Sequence, residues 1–293
     1  MKQVLLASAL VSVLGLSAVL APATAQQAAP AFAPSDWRTP DPENVLVIDT
    51  SKGRIVLEMA PDLAPAHAER VRLLARRGFY DGHQFFRVIN GFMAQTGDPE
   101  NKGTGGSELP DLKAEFEFRR GAADAFVLHE RLPAGGGAGV TETGFYGVMP
   151  VRTGPAMQMM ASIDGKTFGW GLFCPGVAGM ARAQSPDSAN SQFFLMRDTY
   201  PSLNSQYTAW GRVISGLDVV RAIKAGPEDS VVPEPRDSMT RVRVLADIPA
   251  AERPKVQVID TRSPGFKAYV EAERAKRGGV LTVCDVTIPA KVG

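Results

Sequence analysis

Histidine and cysteine are scarce in this chain, whose 293 residues include three of the former and two of the latter. No pair among His67, His83, His129, Cys174 and Cys284 has the spacing of a metal site. The chain contains no Gly-x-Ser-x-Gly, no His-Glu-x-x-His and no Gly-x-x-x-x-Gly-Lys motif, and Gly103-Thr104-Gly105-Gly106 lacks the spacing of a dinucleotide loop. Nucleophilic and metal-assisted hydrolysis therefore lack their parts. Each histidine reads as a structural or surface residue, and neither a cofactor nor a metal is expected. Net charge is also missing: 32 basic residues face 31 acidic ones. Binding dominated by nucleic-acid phosphates, which needs clustered Lys and Arg, is disfavoured, and no polybasic stretch marks a membrane surface. Beyond the N-terminus no run approaches the ~18 apolar residues of a membrane span, so the body is expected not to insert into a membrane.

The N-terminus has the parts of a secretory signal. Lys2 supplies a positive start, Val4 to Leu20 is apolar apart from small residues and serines, and Ala23-Thr24-Ala25 offers a cleavage site. Residues 1–25 are read as a signal peptide and the Ala-, Pro- and Gln-rich residues 26–43 as a flexible leader. The expected location is the periplasm, with secretion as the alternative. An oxidising compartment would permit a Cys174–Cys284 disulfide; two unconnected buried thiols are the other reading.

From Val45 the patterning becomes that of a β-rich domain. Val45 to Ile48 is apolar, Thr50-Ser51-Lys52-Gly53 reads as a turn, and Ile55, Leu57 and Met59 alternate with Arg54, Val56 and Glu58, which together predict a hairpin. Pro65 suits a helix start, Ala68, Val71, Leu74 and Ala75 fall on one face, and Gly78 supplies a stop. Phe85 to Ile89, Val177 to Ala183, Ser191 to Met196, Thr208 to Ile214 and Arg241 to Ala246 read as strands, and Gly216 to Lys224 as a second helix. Many strands with two short helices suggest a barrel with helices over its ends. Two regions exceed a minimal barrel. Residues 122–176 carry a Gly-rich tract and a Met157, Met159, Met160 cluster. They form an insertion that either extends a groove or is an elaborated surface loop. Residues 249–293 form a tail with a helix-like stretch near Ala268 to Lys276 and a strand-like Val280 to Val286.

The informative segment is Phe85-Phe86-Arg87-Val88-Ile89-Asn90-Gly91-Phe92-Met93-Ala94-Gln95-Thr96-Gly97-Asp98. Alternation places Arg87 on one face with Phe85 and Ile89, and a guanidinium among apolar side chains is costly unless its donors are used. The segment resembles the cyclophilin signature Phe-His-Arg-Val-Ile followed by Phe-Met-x-Gln-x-Gly-Asp. Gly179-Met180-Ala181-Arg182-Ala183 with Ser191-Gln192-Phe193-Phe194, and Tyr207-Thr208-Ala209-Trp210-Gly211-Arg212-Val213, resemble the family's other blocks in the same order. The resemblance runs from about Val45 to Ala246. It implies a mainly β fold, an eight-stranded antiparallel closed barrel capped by two α-helices, over residues 44–248, with the tail 249–293 packing on it.

It also implies a peptidyl-prolyl cis-trans isomerase acting on proline-containing polypeptides, without a cofactor and as a monomer. Arg87 would be catalytic. Phe92, Met93, Phe194 and Leu203 would line the proline pocket. Gln95, Gln192 and the main chain at Ala181 and Arg182 would hold substrate backbone, and Tyr207 would stand at the rim. Phe86 replaces the usual histidine. Ser202 stands where many members have a rim tryptophan, so that aromatic wall is expected to be missing and cyclosporin inhibition weak. A non-catalytic proline-peptide-binding or holdase module is the alternative function, and a purely structural secreted barrel the third.

Overall fold

The computed structural model describes residues 32–134, 139–228 and 230–293; the expected signal peptide and most of the Gly-rich tract lie outside them. The strands are β1 (Trp37–Arg38), β2 (Val45–Thr50), β3 (Gly53–Met59), β4 (Arg87–Val88), β5 (Met93–Thr96), β6 (Phe118–Gly121), β7 (Phe126–Pro133), β8 (Val140–Tyr146), β9 (Met149–Thr153), β10 (Lys166–Gly171), β11 (Val177–Met180), β12 (Phe193–Met196), β13 (Ala209–Ser215), β14 (Met239–Val244), β15 (Val256–Ile259) and β16 (Ala290–Val292). The α-helices are α1 (Pro65–Arg76), α2 (Ala156–Ala161), α3 (Leu217–Ala222) and α4 (Pro264–Lys276).

Eight strands form one antiparallel sheet in the order β14-β2-β3-β13-β11-β12-β5-β4. The β2–β3 hairpin turns at Gly53, whose φ of 133° suits glycine, and the Thr50 hydroxyl donates to the Gly53 carbonyl at 2.7 Å. The inner face of the sheet buries Leu46, Ile55, Val88, Ala94, Leu195 and Trp210 with Ala68, Val71 and Leu74 of α1 and Val220 of α3. The side chains of this interior fill it, which leaves the outer face for any ligand.

The expected closed barrel is instead a curled sheet with a stitched seam. Its edges approach at an isolated Gln84–Ser238 bridge, with the Phe85 amide donating to Asp237 O and the Met239 amide to His83 O, both at 2.8 Å. β4 itself does not pair with β14. Its carbonyl side is occupied by a loop, because Phe86 O accepts from Val232 N at 2.7 Å and Val88 O from Gly226 N at 2.9 Å. The same irregularity corrects the expected alternation. Phe85 is fully buried in the inner cluster beside Val88 rather than sharing a face with Arg87, and strand geometry begins only at Arg87.

The 122–176 region, weighed as a surface loop or groove extension, is part of a second antiparallel sheet, β6-β10-β9-β8-β7, that starts at Phe118. Met159 of α2 is buried, while Met157 and Met160 are exposed. The tail closes over this sheet, with the Phe266 ring of α4 meeting Phe145 of β8 edge to face at 5.4 Å. Cys174 and Cys284 are joined by a disulfide, with Cα atoms 4.9 Å apart. Residues Val283–Asp285, inside the stretch expected as a strand, form a 3-10 turn, and the Thr282 hydroxyl donates to the Asp285 carboxylate at 2.6 Å. This local side-chain bond competes with extended pairing.

The flexible leader expected over 26–43 is corrected from Phe32 onward. β1 pairs with β15, which pairs with β16, so leader and tail make a three-stranded sheet. Buried Asp36 accepts from Ala33 N at 2.7 Å and from Gly265 N at 3.1 Å, and Arg38 grips Glu58 of β3 with two bonds of 2.8 and 2.9 Å. A buried carboxylate with two amide donors ties down chain that composition alone reads as loose.

Candidate active site

Cross-strand register assembles the site. Directly opposed residues share a face of the sheet, and Arg87 lies opposite Gln95, Gln95 opposite Phe194, and Phe194 opposite Gly179. One row of the outer face thus carries a guanidinium, an amide, a phenyl ring and a bare backbone, spread over β4, β5, β12 and β11. Glycine is required at the end of the row, since a Cβ at Gly179 would collide with the rings of Phe194 and Phe173. Those two rings stack at 5.8 Å.

The Arg87 guanidinium is half-buried. Its Nη1 lies 3.5 Å from Gln95 Oε1 and its Cζ 6.0 Å from the centre of the Phe92 ring. Among the described residues it forms no ion pair, so its donors are held in place without being consumed. The polar line continues. Gln95 Nε2 donates to Gln192 Oε1 at 2.9 Å, and Gln192 Nε2 donates to Gly105 O at 2.7 Å. Gly105 belongs to a loop organised by buried Asp98, whose carboxylate accepts from the amides of Glu100 at 2.8 Å, Lys102 at 2.9 Å and Thr104 at 3.1 Å, and from Gly103. Burial alone would raise the Asp98 pKa, but these amide bonds outweigh it and hold the carboxyl below the usual range. Phe86, buried, packs against Gly103, which gives the residue beside Arg87 a supporting role for that loop.

The apolar residues gather next to this line. Met93, Phe194 and Leu203 are buried, and Phe92 and Tyr207 are packed partly exposed against the same cluster. Tyr207 meets Phe194 edge to face at 5.9 Å. Ala181 and Arg182 follow β11 and, with Gln95, Gln192, Asp111 and Asn190, line a groove of about 390 Å³. All ten residues picked out from the sequence therefore lie on one outer region of the sheet and its flanking loops. Among the described residues no group of three or more His, Cys, Asp or Glu converges as a metal site, and none of their helices is long and apolar enough to cross a membrane.

Residues 45–244 match the family described as "Cyclophilin type peptidyl-prolyl cis-trans isomerase/CLD". The chain belongs to the cyclophilin family. A "Probable peptidyl-prolyl cis-trans isomerase" of Brucella suis biovar 1 (strain 1330) is 36% identical over 220 residues, covering 71% of this chain and 85% of that protein. "Peptidyl-prolyl cis-trans isomerase CYP71" of Arabidopsis thaliana is 31% identical over 183 residues, 62% of this chain and 21% of that protein. The crystal structure of cyclophilin AquaCyp293 from Hirschia baltica superposes with a TM-score of 0.78 at 33% identity, covering 88% of this chain and 94% of that one. Peptidyl-prolyl cis-trans isomerase activity of the cyclophilin type goes with this membership.

Within that family frame, two aromatic residues outside the signature blocks, Tyr200 and Phe173, complete the apolar wall. The rim is not bare at Ser202, because Tyr200, two residues earlier and 40% exposed, lays its ring on Phe92 at 4.1 Å. Phe173, contributed by the segment after β10, backs Phe194 and is tied to the rim, since its amide donates to Asn204 Oδ1 at 2.9 Å and its carbonyl accepts from Tyr200 N at 2.9 Å. Neither residue sits in a signature block of this cyclophilin. The Tyr200-Pro201 step before a short turn is the only local signal for the first, and no local signal exists for the second.

Proposed function

We propose that this protein accelerates rotation about X-Pro bonds in exported client proteins by donation from Arg87 to the prolyl nitrogen, and that it works in the periplasm as a monomer after loss of residues 1–25. Rotation is opposed by a barrier near 20 kcal/mol because amide resonance spreads the nitrogen lone pair into the carbonyl. Twisting returns that pair to nitrogen, where a guanidinium stabilises the twisted state more than either planar one. Arginine suits the task because it stays protonated and presents directed donors. The proline ring would seat against Phe92, Met93, Phe194 and Leu203, while Gln95, Gln192 and the main chain at Ala181 and Arg182 hold the neighbouring peptide.

The observation that carries this reading is the half-buried Arg87, without an ion pair among the described residues, at the junction of the Gln95–Gln192 line and the Phe92 ring. One charge-assisted bond supplies roughly 1.5–3 kcal/mol, so Arg87→Ala is expected to lower kcat/KM about ten- to a hundredfold in a protease-coupled assay on a proline tetrapeptide. Equal rates for the two proteins would overturn the mechanism. Rates no faster than the uncatalysed one, together with retained peptide binding, would point to a holdase.

A further inference from the structure

Arg182 has two surroundings at once. Its guanidinium is clamped between rings, 4.5 Å from the centre of Tyr207 and 5.6 Å from that of Phe116. Its hydrogen bonds all go to main-chain carbonyls, from Nε to Gln206 at 3.2 Å and from Nη1 to Ala183 at 2.9 Å and Gln184 at 3.2 Å. Among the described residues it forms no ion pair. The result is a positive charge fixed in orientation, partly open to solvent, on the wall of the groove that leads away from Gln95. Further along the same groove stands Asp111, whose Oδ1 accepts from Asn190 Nδ2 at 2.9 Å. Asn190 is two residues from Gln192 on the side away from Phe194, so the acidic end lies beyond the amide pair and Arg182 lies by Tyr207 at the pocket rim.

We infer that Arg182 is a specificity-determining residue that selects client segments with an acidic side chain close to the proline. This deepens the isomerase reading of the site and rests on it. The physics is that of an exposed ion pair, modest per contact and screened by salt. A pre-oriented guanidinium loses less entropy on pairing than a free one, because its rotamer is already fixed by the two rings and three carbonyls. Opposite effects on Glu and Lys multiply in a ratio, so the expected preference for Glu over Lys at the responsive position is about five- to tenfold in kcat/KM at low salt.

The test uses the full mature chain and tetra- to hexapeptides containing one proline, with Glu, Ala or Lys placed in turn at each of the three positions on either side of it. Isomerisation is followed by a protease-free NMR exchange assay, so that a protease's own preference does not enter. One position near the proline is expected to show the Glu-over-Lys preference, and the ratio is expected to fall toward unity in 0.5 M salt, on the order of a Debye length of a few ångströms. Arg182→Gln is expected to abolish the ratio and Arg182→Glu to invert it, whatever either change does to the rate on the Ala peptide. Wild-type turnover of the Ala peptide with equal Glu and Lys rates at all positions would overturn the selector while leaving the isomerase reading intact. So would a ratio that is indifferent to salt, or one that survives Arg182→Gln. No turnover of any peptide would instead sink the isomerase reading, and the Glu-to-Lys ratio of peptide dissociation constants would then decide the selector separately.

Discussion

Arg87 and Gly179 mark the two ends of one cross-strand row, and each is needed for a different reason. Arg87→Lys keeps the charge but replaces a planar fork with a point charge on a flexible stem, so it is expected to recover little of the activity lost in Arg87→Ala; full recovery would show that charge alone suffices. At Gly179 any side chain meets the rings of Phe194 and Phe173. Gly179→Val is expected to displace Phe194 and to cost about 1–3 kcal/mol of stability by overpacking. Peptide affinity should fall with it, as read by calorimetry and a proline-peptide titration. Residue identities at this scale were mostly legible, because the signature blocks name Arg87, Phe92, Met93, Gln95, Gln192 and Phe194 directly. Tyr200 and Phe173 were not legible, since their value comes from which ring they touch, and ring contacts between residues distant in sequence leave no local pattern.

Elements show the same division, with helix α1 as the clearest case. Its start at Pro65 and its stop at Gly78, where φ is 64°, follow from local rules. Its cap does not. Ala64 at the N-cap offers no side-chain acceptor, and the exposed amides of the first turn are satisfied by Glu115, which accepts from Ala66 N and His67 N at 3.1 Å each and from His67 Nδ1 at 2.7 Å. Burial opposes the Glu115 charge, but the His67 side chain and the two amides outweigh it, so its pKa lies below the usual carboxylate range. A depressed pKa contributes stability that is complete above the unfolded value of about 4.3 and lost as pH falls through the folded value. Glu115→Gln is therefore expected to lower Tm at pH 7, with the gap to wild type closing below about pH 4; a gap that stays constant with pH would contradict an ionic cap. His83, whose pKa burial pushes down, adds in the same direction at mild acidity, since a histidine kept neutral in the fold must charge as pH drops below about 6.5.

For the molecule as a whole, the insertion and the tail behave as one unit docked on the outer face of the sheet. Arg212 of β13 joins all three parts. It is buried, and its Nη1 donates to Val148 O of the insertion at 3.0 Å and its Nη2 to Val286 O of the tail at 3.1 Å. Burial pushes its pKa down to about 10, so it remains charged at neutral pH while its donors serve carbonyls. The Cys174–Cys284 disulfide, closing a sequence separation of 110, fastens the tail one residue from Phe173. Cys284→Ser is expected to destabilise the protein by about 2–5 kcal/mol in chemical denaturation. It should also weaken peptide binding through the Phe173–Phe194 stack. Unchanged stability would mean that the tail docks without the bond.

Sequence by itself determined the β-rich fold, most strands of its main sheet, the positions of both barrel helices and the residue types of the site, because alternation, helix caps, turn glycines and signature blocks are all short-range patterns. Only the tertiary structure decided that the barrel seam is stitched rather than laddered, that residues 32–43 are held by the tail, that the inserted segment is a sheet, and that Tyr200, Phe173 and Gly179 complete the pocket. Those outcomes depend on which distant groups satisfy a backbone amide or fill a void beside a ring. The free energy of such contacts belongs to pairs of segments far apart in the chain, so neither segment records it alone.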